Sequence, residues 1–143
     1  MSKRIRTHRD LEVYQKAFQA SMTLFEYPKA FPKEEVFSLT DQIRRSSRSV
    51  CANLAEAWHR RIYEKSFVSK ITDAEAEAAE TQVWIEFAVA SQYLEVEGGR
   101  NIYRVYDEIS RMLISMRINV HKWLIDQSHA SIHEEIETFL SPF

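Results

Sequence analysis

The feature that most constrains the fold of this chain is its near lack of helix-breaking residues. Its 143 residues include only two glycines and three prolines. Sheet-rich folds draw on these residues for their many tight turns, so their scarcity argues against such a fold. It also leaves no glycine-rich loop to hold a phosphate group. The five residues stand at Pro28, Pro32, Gly98, Gly99 and Pro142, and they divide the chain into long uninterrupted segments.

The spacing of apolar residues within these segments is helical. It predicts long helices over residues 10–27, 33–59, 66–96 and 101–125. Asp10, Ser66 and Asn101 are the predicted caps of three of them, and Ser131 with Glu134 predicts a capping box for a short tail helix over 131–140. Long helices joined by short links pack antiparallel. The sequence therefore predicts a single all-α domain over residues 1–143, an antiparallel up-down four-helix bundle with a short C-terminal tail helix.

Each predicted helix carries one stripe that we expect to be buried. The stripes are Leu11, Tyr14, Phe18, Met22 and Phe25 in the first helix, Val36, Leu39, Ile43, Val50 and Leu54 in the second, Phe67, Ile71, Ala74, Ala78, Thr81, Ile85 and Ala88 in the third, and Ile102, Val105, Ile109, Met112, Met116, Val120 and Trp123 in the fourth.

The third helix is apolar on more than one side. Between residues 83 and 90, Glu86 is the single polar residue. A helix that is apolar nearly all round is buried on several sides. Either the tail helix or a second copy of the chain covers it, and we favour a second copy.

A polar line on the second helix completes the predicted seam between copies. The neighbouring small residues would allow a second helix to approach closely, although a polar line of this kind is also typical of a solvated surface. The predicted oligomer seam consists of Gln42, Arg45, Ser49, Asn53, Glu56, Val83, Trp84 and Phe87.

The charge of the chain is unevenly distributed. Its net charge is −2, but residues 1–61 carry twelve Lys and Arg against seven Asp and Glu, and residues 62–143 carry seven against fourteen. In an oligomer, basic clusters would be multiplied into a surface that attracts RNA or DNA. Pairing of the arginines with acidic residues of the same chain is the alternative. The predicted nucleic-acid contacts are Lys3, Arg4, Arg6, Arg9, Arg44, Arg48, Arg60 and Arg61.

The sequence offers little for catalysis. Glu56 and His59 form one Glu-x-x-His motif, but a di-iron bundle needs two. His129 and His133 supply only two metal ligands, and a surface role is expected for them. Cys51 lies between apolar residues, so we expect an unreactive thiol. We therefore predict no catalytic, cofactor-binding or metal-binding residues, no cofactor and no enzymatic activity.

Two features bear on location. The chain has a single cysteine, which cannot form an internal disulfide, and no apolar run approaches the length of a membrane span. The first six residues lack the apolar stretch of a secretory signal. We expect a cytoplasmic protein with no membrane partner.

Three blocks of sequence resemble a known family. Pro32 to Glu35, Leu39 to Val50 and Ala52 to Glu56 form the most specific block, and Asp10 to Ala17 and Glu80 to Ala88 are the other two. They resemble the bacterial four-helix-bundle proteins encoded in intervening sequences of 23S ribosomal RNA genes. The resemblance covers about residues 10–123.

The resemblance implies a left-handed antiparallel bundle that assembles as a ring, commonly a homopentamer, with no enzymatic activity or cofactor. A related, markedly basic branch comprises accessory proteins of diversity-generating retroelements, which contact nucleic acid and a reverse transcriptase. From the sequence we thus expect a non-enzymatic, self-associating scaffold or adaptor whose partners are itself and RNA or protein. The alternative is an accessory protein that binds RNA or DNA.

Overall fold

The computed structural model describes residues 4–125. Four α-helices follow one another along this range, and it contains no strand: α1 spans Glu12–Glu26, α2 Leu39–His59, α3 Glu64–Ala90 and α4 Val96–Ile118. Short 3₁₀ turns lie at His8–Asp10, Tyr27–Ala30, Lys33–Glu35 and Val120–Lys122. The prediction of an all-α four-helix bundle is confirmed. The predicted tail helix over 131–140, with His129 and His133, lies outside the described residues.

Contacts between helices show that neighbours run antiparallel. Ser46 contacts Thr81, and Glu56, further along α2, contacts Lys70, which comes earlier in α3. The same reversal holds between α3 and α4, where Val89 lies against Gly99 and Glu75 binds Arg117. Each helix packs on the next, and α1 closes the bundle against α4.

Hydroxyl groups from three helices meet inside the otherwise apolar core. The Ser21 Oγ of α1 lies 2.9 Å from the Ser47 Oγ of α2, and the Thr81 Oγ1 of α3 donates to Ser46 Oγ at 2.8 Å. All four residues are buried. Because buried hydroxyls need partners, this hydroxyl layer favours one alignment of α1, α2 and α3 along the bundle axis.

The predicted stripes of α3 and of most of α2 are buried as expected, but of the stripe predicted for the first helix only Leu11 is fully buried. The core face of α1 is formed by Val13, Ala17, Ala20, Ser21 and Leu24. Phe18 and Met22 are each 50% exposed. Small side chains allow α1 to lie close to α2, and the larger ones remain at the surface.

The predicted start of the second helix at residue 33 is also wrong. Lys33–Glu35 is a 3₁₀ turn, and α2 begins at Leu39. Phe31 and Leu39 share a small cluster with Ala88, so the chain bends between them. Val36, predicted to be buried, is therefore 47% exposed.

The glycines do not separate the third and fourth helices. The chain turns at Gln92, which has a φ of 62°, and Tyr93 N donates to Ala88 O as in a Schellman cap. Gly98 and Gly99 instead lie inside the first turns of α4. The predicted bounds 66–96 and 101–125 are thus corrected to Glu64–Ala90 and Val96–Ile118.

The predicted caps change with these bounds. Asp10 belongs to a capping box with Thr7 on the 3₁₀ turn before α1. Tyr63 and Glu95 hold the N-cap positions of α3 and α4, without a side-chain cap bond. In α4, Tyr106 and Leu113 join the predicted residues in the core.

Candidate interaction surfaces

Three polar residues of the predicted seam, Ser49, Asn53 and Glu56, lie along the groove between α2 and α3. Glu56 pairs with Lys70 of α3 at 2.9 Å. Ser49 lies beside Glu77 of α3, and the Asn53 amide donates to Ser49 O and Oγ at 2.9 and 3.1 Å. The structure thus brings the polar line of α2 next to α3, on the outside of the bundle.

Much of this polar line is already satisfied within one chain. Arg45 is 74% exposed and reaches Asp41 one turn earlier at 3.6 Å. The hydrogen bond from Lys70 lowers the pKa of Glu56. Burial and the nearby charge of Glu80 raise the pKa of Glu77. Neither Arg45 nor Glu56 therefore needs a second chain for its charge.

The apolar residues of the seam remain uncovered by the described part of the chain. Phe87 is 55% exposed and Val83 40% exposed. Trp84 is half-buried, with its ring 5.9 Å from that of Phe87, and its indole N–H is buried without a hydrogen-bond partner within residues 4–125. Phe37, at the same end of the bundle, is 95% exposed. We call Val83, Trp84 and Phe87 the α3 patch.

The residues predicted to contact nucleic acid fall into two groups. Arg4, Arg6 and Arg9 precede α1, and Arg60 and Arg61 end α2 at the same end of the bundle. Arg61 stacks 3.4 Å from the Trp58 ring centroid and donates to Trp58 O. Lys3 lies outside the described residues.

Arg44 and Arg48 form the second group, in the middle of α2. Their guanidinium carbons lie 4.6 and 6.0 Å from the centroid of the Phe25 ring. Tyr14 and Phe18 continue this surface along α1, with ring centroids 6.1 Å apart. We call these five residues, together with Met22, the arginine–aromatic face.

Sequence reasoning missed the arginine–aromatic face because it assigned the α1 aromatics to the core. A signal was present. Val13, Ala17, Ala20 and Leu24 have the same helical spacing as the larger residues, so α1 is apolar over a wide arc and only part of that arc fits between its neighbours.

The described residues show no arrangement typical of catalysis. Within residues 4–125, no three His, Cys, Asp or Glu side chains converge where they could hold a metal ion. Burial raises the pKa of the Cys51 thiol to about 11, which keeps it protonated at neutral pH. A groove of about 400 Å³ between α1 and α4 is open and includes Met112, Met116 and Trp123 in its lining. Among the same residues, no helix combines the length and apolar character needed to cross a membrane.

Comparison with known proteins identifies the family. The sequence profile of the 23S rRNA-intervening sequence proteins matches residues 9–115. The chain belongs to this family. A crystal structure of a protein of unknown function from the S23 ribosomal protein family of Bacteroides thetaiotaomicron is similar to it, with 28% identity and a TM-score of 0.67. That similarity covers 73% of this chain and 94% of the Bacteroides chain. No curated protein matches significantly.

Membership confirms the resemblance seen in the sequence. The profile match includes the whole of α1, α2 and α3 and most of α4. For this 23S rRNA-intervening sequence protein, the link to diversity-generating retroelements, the pentameric ring and the predicted surface contacts stay predictions. The related Bacteroides structure is described as having unknown function, so function must be argued from the surfaces.

Proposed function

We propose that this family member is a non-catalytic cytoplasmic protein that self-associates through the outer face of α2 and α3 and acts as a scaffold or adaptor. The observation that supports it best is the α3 patch, where Phe87 is 55% and Val83 40% exposed. Because each side chain is already about half buried, covering the rest would stabilise an interface by about 1 kcal/mol each.

A helix at the predicted position of the tail could reach Val83 and Trp84 but would fall just short of Phe87, at the far end of the α3 patch. Ile125 N donates to Arg61 O, so the tail begins near the start of α3. Phe87 lies 23 residues beyond Glu64 along α3, a distance of about 34 Å. Five extended residues and a ten-residue helix together span only about 32 Å. A second copy is therefore the better cover.

Light scattering on the purified protein tests this proposal. We expect a mass that is a multiple of the 16.9 kDa chain, fivefold if the ring implied by the resemblance forms. Phe87→Glu should lower the mass because it places a charge in the interface. Asn53→Leu should also change it if the polar line of α2 takes part.

Ile118→Glu is the matched control, since Ile118 is 69% exposed at the end of α4 and outside the seam. It should leave the mass unchanged. A stable wild-type monomer of 16.9 kDa at working concentrations would contradict self-association.

Binding of RNA or DNA is a second candidate function, favoured by the position of Arg44 and Arg48 beside the Phe25 ring. Cations next to exposed aromatic rings are typical of surfaces on which bases stack. Titration of labelled RNA and of a DNA duplex at increasing salt tests it. Submicromolar binding that weakens steeply with salt would support this function, as would weaker and less salt-dependent binding in Arg48→Gln.

A further inference from the structure

The arginine–aromatic face combines uncovered apolar area with cations that lack acidic partners. Phe18 and Met22 are each 50% exposed. Within residues 4–125, no carboxylate lies within salt-bridge distance of Arg44 or Arg48, whereas Lys16, Arg45, Lys70 and Arg117 all have one.

Arg44 is held in place but not satisfied. Its Nη2 donates to Phe25 O at 2.8 Å, which fixes the guanidinium against the ring. Its Nε is buried and has no hydrogen-bond partner among the described residues. A buried donor without a partner costs about 1–3 kcal/mol. The face is thus suited to an apolar segment that also brings carboxylates.

The sequence beyond Ile125 has this composition. Residues 126–143 contain four carboxylates, Asp126, Glu134, Glu135 and Glu137, and no Lys or Arg. Ile132, Ile136 and Phe139 recur at helical spacing. An acidic amphipathic helix would match the apolar side chains of the face with its own and the two arginines with its glutamates.

The described chain ends within reach of this face. Ile125 N donates to Arg61 O at 3.3 Å, at the end of α2. Arg48 lies 13 residues before Arg61, about 20 Å back along α2. Residues 126–130 span at most about 17 Å and a helix over 131–140 adds about 15 Å. A segment of this length is therefore long enough to reach Arg48 and Phe18 within one chain.

We propose that residues 131–140 of the same chain dock on the arginine–aromatic face, with the glutamates near Arg44 and Arg48 and the isoleucines and Phe139 on Phe18 and Met22. The α2/α3 face stays free for a second copy, so docking does not depend on self-association.

Photo-crosslinking in the full-length chain tests the proposal. A benzoylphenylalanine at Phe18, an exposed position that tolerates replacement, should crosslink to residues 131–140, as identified by mass spectrometry. The same residue at Val96, 54% exposed at the start of α4, is the control and should give no crosslink to the tail.

Charge reversal tests whether the tail glutamates pair with the arginines of the face. The triple variant Glu134→Lys, Glu135→Lys, Glu137→Lys should lower the yield of the Phe18 crosslink by about fivefold. Adding Arg48→Glu should restore it. The crosslink yield would not recover in this combined variant if the glutamates only kept the tail soluble.

Three results would overturn the proposal. These are a Phe18 crosslink to nucleic acid, a crosslink to any part of the chain other than the tail, or no crosslink at all. Mixing isotopically heavy and light chains provides a fourth such result. Crosslinks between a heavy and a light chain would show that the tail docks on another copy. A monomer with the expected crosslink would contradict self-association and leave this proposal standing.

Discussion

At the scale of single residues, two adjacent glycines have different roles. A methyl group on Gly99 would overlap the Val89 side chain of α3, whereas one on Gly98 would meet only Leu94 and Tyr27 at 3.8 and 3.9 Å, ordinary contact distances. Gly99 is therefore required by the close approach of α3 and α4, and Gly98 is not.

This difference predicts opposite effects of one substitution. Gly99→Ala should destabilise the protein by about 1–2 kcal/mol, because the new methyl group overlaps Val89, whose Cβ-branched side chain has few alternative rotamers. Gly98→Ala should be neutral or stabilise it by up to about 1 kcal/mol, since alanine favours a helix. Urea unfolding of both variants checks this, and equal losses would contradict the assignment.

Cys51 provides a second prediction at this scale. Its thiol is buried, and its pKa of about 11 leaves almost no thiolate at pH 8. A thiol reagent should therefore label the native protein far more slowly than the urea-unfolded chain. Fast labelling of the folded protein would show that Cys51 is accessible. Cys51→Ser, which should not react, gives the background.

At the scale of helices, the hydroxyl layer depends on Thr81. Its Oγ1 lies 2.8 Å from both Ser46 Oγ and Glu77 O and is fully buried. Thr72, on the same helix, is exposed and donates only to Val68 O.

Replacing each threonine by valine tests the layer. Thr81→Val should cost about 1–2 kcal/mol of unfolding free energy, because it leaves the buried Ser46 hydroxyl without this partner. Thr72→Val should change stability by less than about 0.5 kcal/mol. Thermal and urea unfolding measure both. A loss in Thr72→Val as large as in Thr81→Val would contradict a special role for the layer.

The same scale shows how much of the fold could be predicted. Helical spacing predicted the buried face of α3 completely, because small and apolar residues alternate there with charged ones. It failed for α1, where two apolar stripes share the helix and only tertiary packing decides between them. It also misplaced the turn before α4. The residue with a left-handed backbone conformation in that turn is Gln92, whereas Gly99 allows α3 and α4 to pack closely.

The candidate surfaces could likewise be predicted from the sequence only in part. The polar line of α2 and the α3 patch follow from spacing along single helices. The arginine–aromatic face does not, because Phe25 and Arg44 are 19 residues apart and meet only after α1 and α2 have packed.

At the scale of the whole molecule, self-association predicts a stability that depends on concentration. If copies dock through the α3 patch, the Tm of the wild-type protein should rise with protein concentration, because binding stabilises the folded state by mass action. The Tm of Phe87→Glu should not depend on concentration. Calorimetry over a roughly hundredfold range of protein concentration measures both Tm values. A wild-type Tm that is independent of concentration would argue against association.

The hydroxyl layer also bears on how the links between helices can evolve. Sliding one helix by a turn, about 5.4 Å, would set its buried oxygens against hydrocarbon. The interior, rather than the length of the connections, therefore fixes the relative height of α1, α2 and α3. Insertions at the bends near Ser38 and Arg61 can then lengthen the chain there without shifting the helices against one another.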